Sequence, residues 1–121
     1  MSHVLIADDE ANIVVSLEFL MKREGHRVSV ARDGDAALAA IREQRPDLVL
    51  LDVMMPGKSG FEVCQAVRGD ESLAGVKILM LSAKGRETDL AKGQALGADA
   101  YMTKPFSTRE LADKVKALLG R

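Results

Sequence analysis

Short apolar runs alternate with amphipathic stretches along the whole chain, and this alternation predicts five repeats of a strand followed by a helix. The third run is continuously apolar, as expected of a central parallel strand that is covered on both faces. Five such repeats indicate an α/β fold in which right-handed crossovers place helices on both sides of a parallel sheet. The predicted strands are residues 4–7, 28–30, 48–51, 76–81 and 100–102.

Helices are predicted where apolar side chains recur every three or four residues. Gly25 can end the first helix, and Asp33 and Pro46 bound the second. The fourth helix, from about residue 86 to 96, is the weakest, because Gly93 within it costs about 1 kcal/mol relative to Ala. The helical stripes are Ile13, Leu17, Leu20 and Glu24; Ala37, Leu38 and Ile41; Phe61, Cys64 and Val67; and Leu111, Val115 and Leu118.

The last helix carries the clearest start signal. Ser107 and Glu110 stand at the spacing of a capping box, in which the hydroxyl and the carboxylate each accept a hydrogen bond from an unpaired backbone N–H. A helix that begins at Thr108 is therefore expected.

Polar side chains follow the predicted strands at their carboxyl ends, which is the edge where open parallel sheets bind ligands. Asp8, Asp9 and Glu10 follow the first strand, Asp52 follows the third, and Ser82 and Lys104 follow the fourth and fifth. If the strands are ordered 2-1-3-4-5, the first and third strands are neighbours. The three aspartates then converge.

Clustered carboxylates repel, at a cost of about 4 kcal/mol for a pair about 4 Å apart at an effective dielectric constant near 20. Such a cluster takes up a proton or a hard divalent cation, and oxygen ligands suit Mg²⁺. With a metal, an ammonium and a hydroxyl beside it, Asp52 is the best candidate for a nucleophile that forms an acyl phosphate.

Composition and charge exclude several classes of protein. The 121 residues carry 17 Lys and Arg against 18 Asp and Glu and only 3% aromatic residues, which argues against a nucleic-acid-binding surface. No apolar run is long enough to cross a membrane and no signal peptide is evident, so a cytoplasmic protein is expected.

A single cysteine, Cys64, excludes an internal disulfide and is predicted to be a buried small hydrophobe. The five repeats occupy the whole chain, which predicts one domain over residues 1–121.

The residues at the strand ends stand in motifs that resemble the bacterial response regulator receiver domains, the CheY-like family of two-component systems. The resemblance covers essentially the whole chain in the family's order and spacing. It implies a flavodoxin-like (βα)5 three-layer sandwich with a parallel five-stranded sheet of order 2-1-3-4-5. The matching motifs are Asp8-Asp9-Glu10, Leu51-Asp52-Val53-Met54-Met55-Pro56-Gly57, Leu81-Ser82-Ala83 and Gly97-Ala98-Asp99-Ala100-Tyr101-Met102-Thr103-Lys104-Pro105-Phe106.

The resemblance implies a phosphoacceptor. Asp52 would accept a phosphoryl group from the phosphohistidine of a sensor histidine kinase or from a phosphotransfer protein. Asp9, Asp52 and the backbone carbonyl of Met54 would ligate Mg²⁺, or Mn²⁺ in its place, and Asp8 would bind it through water. The domain would catalyse only its own phosphorylation and dephosphorylation, so it is not expected to be an enzyme that acts on a separate substrate.

The same resemblance implies roles for the neighbouring positions. Ser82 and Lys104 would contact the phosphoryl oxygens, and the peptide bond between Lys104 and the following proline is commonly cis in the family. Tyr101 would be the aromatic residue that reports the switch. Met54 and Lys84 flank the path of the hydrolytic water in the family, and Met54 offers that water no good hydrogen bond.

Two other functions compete with the receiver. A Mg²⁺-dependent phosphatase with an aspartyl nucleophile commonly carries a second Asp two residues after it, where this chain has Met54. A flavodoxin-like binding module needs a phosphate-cradling loop after the first strand, where three acids stand instead. The stretch Gly57-Lys58-Ser59 resembles the end of a nucleotide-binding loop, but Asp52 occupies the position of that loop's first glycine.

The output of the domain is expected to be a protein contact through the face formed by the fourth helix, the fifth strand and the fifth helix. No effector domain follows in these 121 residues, so the target is a separate protein or a domain outside them. Ala100 stands where transcription-factor relatives carry an acid that pairs two receivers, while Lys92 and Glu110 resemble another such pair. Either a monomer or a phosphorylation-dependent dimer is therefore expected.

Overall fold

The computed structural model describes residues 2–83 and 87–120, which form alternating parallel strands and α-helices. A short 3₁₀ helix, Glu71–Leu73, precedes the fourth strand and was not predicted. The strands are β1 (His3–Ala7), β2 (Arg27–Ala31), β3 (Leu48–Asp52), β4 (Lys77–Ala83) and β5 (Ala100–Lys104). The helices are α1 (Ala11–Arg23), α2 (Gly34–Gln44), α3 (Gly60–Arg68), α4 (Glu87–Ala95) and α5 (Thr108–Leu119).

The five strands form one parallel sheet in the order β2-β1-β3-β4-β5, which confirms the predicted order and the flavodoxin-like fold. The register pairs Asp52 with Leu81 across β3 and β4, and Ser82 with Thr103 across β4 and β5. The carboxyl ends of β1, β3, β4 and β5 therefore lie side by side along one edge of the sheet.

The fourth and fifth strands extend further than predicted, so that their polar residues lie within them. Ser82 lies inside β4 and Lys104 is the last residue of β5, because Ala83 still pairs with Lys104 in the parallel ladder. Asp52 is likewise the last residue of β3. At the other end, Val76 is outside β4, since its backbone N–H donates to the Leu73 carbonyl oxygen instead.

Alternate residues of the central strand enter two apolar clusters, one on each face of the sheet. Val49 and Leu51 pack with the buried residues of α2 and α3. Leu48 and Leu50 pack with those of α1 and α5. Cys64 is fully buried in the first cluster, as predicted. Helices thus cover both faces and leave the carboxyl edge of the strands for polar side chains.

The helix ends agree only in part with the predicted caps. The Asp33 side chain caps α2, as predicted, by accepting from the Ala36 backbone N–H. Helix α1 ends at Arg23, and Glu24, which was predicted to lie on its helical stripe, is its C-cap.

The full capping box lies at Ser59 and Glu62, where it starts α3, although it was predicted only for α5. At α5 the Glu110 N–H donates to the Ser107 hydroxyl, and the reciprocal bond is not found among the described residues. The predicted start of α4 near residue 86 lies outside the described residues.

None of the helices in the described part of the chain is both long and apolar enough to cross a membrane.

Candidate functional site

Three of the predicted site residues meet at the carboxyl edge of the sheet. The Lys104 ammonium extends from the end of β5 to the Asp8 Oδ2 at 2.9 Å and to the Asp52 Oδ1 at 3.5 Å. Asp8 is fully buried and Asp52 is 5% exposed. The neighbouring positions of β1 and β3 bring these carboxylates together, and the cation between them offsets their repulsion.

The two buried aspartates differ in how well they are satisfied. Asp8 Oδ1 accepts the Glu10 backbone N–H at 2.9 Å, and its Oδ2 accepts from Lys104. Asp52 has longer contacts, to the Met54 backbone N–H at 3.4 Å and to Lys104 at 3.5 Å, and both involve Oδ1. Asp52 therefore keeps more of its lone-pair capacity for an incoming group.

The environment of Asp52 disfavours its charge. Burial, followed by the neighbouring Asp8 carboxylate, raises the pKa of Asp52 to about 6 from its ordinary value of 3.8, against the opposing effect of Lys104. Burial also opposes the charge of Lys104 and is the largest single contribution there. Hydrogen bonds to Asp8 and Glu10, together with the negative charges of Asp52 and Asp8, outweigh it, so the pKa of Lys104 is raised. The lysine is a permanent cation, and Asp52 is ionised at neutral pH at a cost in free energy.

Glu10, for which the sequence predicts no role, lies in the cluster with Asp8 and Asp52. Carboxylate oxygens of Asp8, Glu10 and Asp52 all lie within 4.8 Å of one another, and Glu10 also accepts from Lys104 at 3.0 Å. Asp9 is exposed and outside this cluster, although its charge still adds the smallest of the named contributions to the raised pKa of Asp52. The chain bends at Asp9, where the Glu10 backbone N–H donates to the Asp8 Oδ1, so no periodicity in the sequence indicates that Glu10 joins the cluster.

The donors in this cluster fit a hard divalent cation. Every one is a carboxylate oxygen, which is the ligand type that Mg²⁺ prefers, and the cluster is open to solvent on the side of the exposed Glu10, which leaves room for water ligands. One ammonium, that of Lys104, faces these three carboxylates, so it does not neutralise them all.

Ser82 and Tyr101 lie on the adjacent strands β4 and β5. Ser82 is 1% exposed in β4, one residue beyond the position that pairs with Asp52. Tyr101 is half-buried and its ring packs against α4, where a Cβ added to Gly93 would lie 3.5 Å from the Tyr101 Cδ2. The glycine that weakens α4 is therefore also where the tyrosine ring meets the helix.

The remaining predicted positions border the site. Met54 is 57% exposed two residues after Asp52, and Lys84 lies outside the described residues. The peptide bond between Lys104 and Pro105 is cis, as predicted. Lys92 is exposed, and its Nζ lies 4.6 Å from the centre of the Phe61 ring.

A second polar contact, which the sequence analysis missed, ties α3 to the turn before β5. The Asp99 Oδ2 accepts the Arg68 Nη2 at 2.7 Å and the Ile78 backbone N–H at 2.7 Å. Arg68 also donates from Nε to the Gly97 carbonyl oxygen at 2.9 Å. One carboxylate thus anchors the start of β4 and the α4–β5 turn, which fixes the strand that carries Tyr101 and Lys104.

Known proteins share this arrangement. A family model described as the response regulator receiver domain matches residues 4–116. A protein from Chloroflexus aurantiacus J-10-fl assigned as a response regulator is 35% identical, with a TM-score of 0.94 over 99% of this chain and 98% of that one. The chemotaxis response regulator CheY4 of Vibrio cholerae is 33% identical, with a TM-score of 0.91 over 98% and 99%.

A third similar structure is the signal receiver domain of a signal transduction histidine kinase from Syntrophus aciditrophicus. It is 28% identical, with a TM-score of 0.92 over 99% of this chain and 91% of that one. The family match, the strand order and the acidic cluster agree with one another. This chain therefore belongs to the response regulator receiver domain family and is a CheY-like signalling domain of two-component systems.

Proposed function

We propose that this domain accepts a phosphoryl group on Asp52 from a phosphohistidine, on a sensor histidine kinase or a phosphotransfer protein. The observation that carries the proposal is the convergence of a buried carboxylate with a lysine ammonium at 3.5 Å, on neighbouring ends of a parallel sheet. A carboxylate oxygen of Asp52 attacks phosphorus, the bond from phosphorus to the histidine nitrogen breaks, and its electron pair stays on the imidazole.

The charges around Asp52 suit this transfer. With a pKa of about 6 the acceptor is ionised at neutral pH, yet it is more basic than an ordinary aspartate and hence a better nucleophile. The Lys104 ammonium can turn from its carboxylate partners to the phosphoryl oxygens, and the buried Ser82 hydroxyl can donate to another oxygen.

Asp8, Asp9, Asp52 and the Met54 backbone carbonyl would hold Mg²⁺, or Mn²⁺, beside the acceptor. When bound, the metal would supply positive charge that offsets the charge on the phosphoryl oxygens. Glu10 belongs to the same cluster, but its carboxylate already accepts from Lys104 at 3.0 Å, so we assign it to the lysine and not to the metal.

Phosphorylation of Asp52 would be read on the face formed by α4, β5 and α5. The phosphoryl group adds about two negative charges, toward which Ser82 moves. That movement vacates space under α4 for the Tyr101 ring, which already contacts Gly93 there. The phosphoryl group thereby biases a two-state equilibrium of this face, and a downstream protein or an effector domain binds the favoured state.

Incubation with Mg²⁺ and acetyl phosphate, followed by intact-mass measurement, tests the proposal. One added phosphoryl group is expected, and it should be absent after addition of EDTA or in Asp52→Asn. Asp113→Asn, which removes an exposed carboxylate of α5, is the matched control and should be labelled like the wild type. Label that persists in Asp52→Asn would refute the assignment of Asp52, and steady turnover of a free phosphoester would indicate a phosphatase instead.

A further inference from the structure

Glu10 stands at the N-cap position of α1, but its side chain does not cap the helix. The N-cap forms no side-chain hydrogen bond to the helix backbone. Instead the Glu10 Oε1 accepts from the Lys104 Nζ at 3.0 Å, although the glutamate side chain is 58% exposed. The Glu10 carboxylate therefore contacts Lys104 of the site and does not cap α1.

The Lys104 ammonium has three N–H donors, and its two short contacts are to Asp8 and Glu10 rather than to Asp52. Asp8 is fully buried and needs a cation, because an unpaired buried carboxylate is costly. Glu10 has water available and does not need one. The Glu10 contact therefore draws the ammonium toward solvent, away from the acceptor oxygen that lies 3.5 Å from it.

From these contacts, and on the basis of the proposed phosphoacceptor function, we infer that Glu10 is a positioning residue that restrains Lys104 in the resting state. Phosphoryl transfer requires the ammonium to approach the phosphoryl oxygens, so the Glu10 contact must loosen first. Glu10 thereby slows phosphorylation of Asp52 and sets how readily this receiver responds to a phosphodonor. It acts through Lys104 and not on the reacting atoms.

The test is the rate of Asp52 phosphorylation in Glu10→Gln, measured at saturating Mg²⁺ with acetyl phosphate and, separately, with phosphoramidate. The glutamine keeps the length of the side chain but removes its charge. We expect both donors to react about fivefold faster, the size of effect typical of a partly exposed ion pair. Glu43→Gln is the matched control, because it makes the same change near the end of α2, at the opposite edge of the sheet, and should leave both rates unchanged.

Comparing the two phosphodonors distinguishes release of Lys104 from a simple loss of electrostatic repulsion between the Glu10 carboxylate and the donor. Acetyl phosphate carries more negative charge than phosphoramidate at neutral pH, so removing a repulsive carboxylate would accelerate acetyl phosphate selectively. Release of Lys104 accelerates both donors by the same factor. A selective effect, or rates equal to those of Glu43→Gln, would overturn the inference.

Mg²⁺ affinity gives a readout that does not depend on phosphorylation. The midpoint of the rise in melting temperature with Mg²⁺ should be similar in Glu10→Gln and Glu43→Gln, because the inferred partner of Glu10 is the lysine. A large loss of Mg²⁺ affinity in Glu10→Gln with slower phosphorylation would make Glu10 a metal ligand and overturn the inference. Failure of the wild type itself to gain a phosphoryl group on Asp52 would instead refute the proposed function.

Discussion

At the scale of single residues, the site is built from charges that are satisfied to different degrees. Asp8 is fully buried and has short hydrogen bonds to both oxygens, whereas Asp52 has only long ones to Oδ1. The shared Lys104 holds the two carboxylates together without neutralising both. The residual cost falls on Asp52, the residue whose reactivity the proposed function requires.

That cost predicts a pH dependence of stability. The pKa of Asp52 is about 6 in the folded chain against an ordinary 3.8, so folding favours its protonated form. Protonation of Asp52 therefore stabilises the folded state, fully below about pH 4, and this stabilisation is lost as pH rises through about 6. Without divalent cations, Asp52→Asn should therefore gain on the order of 2 kcal/mol over the wild type between about pH 4.5 and pH 7.5.

Urea unfolding at the two pH values measures this gain in the free energy of unfolding. Asp113→Asn, which makes the same substitution at an exposed position of α5, serves as the control. A constant difference between Asp52→Asn and the wild type across this range would contradict the raised pKa of Asp52.

Met54 is expected to prolong the lifetime of the phosphorylated state. The residue is 57% exposed two positions after Asp52, and its thioether offers only a weak acceptor to a hydrolytic water. Met54→Asn and Met54→Glu should lose the phosphoryl group roughly tenfold faster, the effect of about 1.4 kcal/mol from one new hydrogen bond in the transition state. The decay of the phosphorylated mass after removal of the donor measures this rate, and equal or slower decay would show that Met54 does not limit hydrolysis.

At the scale of elements, the alternating pattern predicted the strands and helices because each buries one apolar face or is covered on both. Sequence patterning located the ends less well. The capping box was predicted for α5, yet both of its hydrogen bonds form at Ser59 and Glu62. The ladder between β4 and β5 carries the strands past their apolar residues to Ser82 and Lys104. Pairing between strands distant in sequence decides those ends, and local spacing does not report it.

The end of α2 contains a left-handed residue whose replacement should stabilise the fold. Arg45 is the C-cap with φ of 46° and ψ of 62°, a conformation that glycine adopts without the steric cost of a Cβ. Relief of the steric cost outweighs the greater conformational entropy of glycine in the unfolded chain. Arg45→Gly should therefore raise the free energy of unfolding by about 0.5–1 kcal/mol.

Arg42→Gly is the matched control, since it makes the same change at an exposed position inside α2. It should lower the free energy of unfolding by about 1 kcal/mol. Thermal or urea unfolding compares the two variants. A loss of stability in Arg45→Gly as large as in Arg42→Gly would contradict the account of this cap.

At the scale of the whole molecule, the polar cluster of Asp8, Asp52 and Lys104 lies at one edge of the sheet, and the proposed signalling face of α4, β5 and α5 adjoins it through β5. The sequence predicted this edge because parallel strands bring their carboxyl ends together, and Asp8, Asp52, Ser82 and Lys104 follow from that rule. It did not predict Glu10, because its role depends on where the Lys104 ammonium lies in three dimensions. Receiver domains pass signals between histidine kinases and effectors, so this division of the surface fits their task.

The measurement that tests the central claim most directly is the position of the phosphoryl group. After incubation with Mg²⁺ and acetyl phosphate, borohydride reduces an aspartyl phosphate to homoserine, and peptide mass spectrometry locates the altered residue. We predict homoserine at position 52 alone, and none when Mg²⁺ is withheld. Homoserine at another aspartate, or a phosphoryl group on Ser82 that survives borohydride, would contradict the assignment of Asp52 as the acceptor.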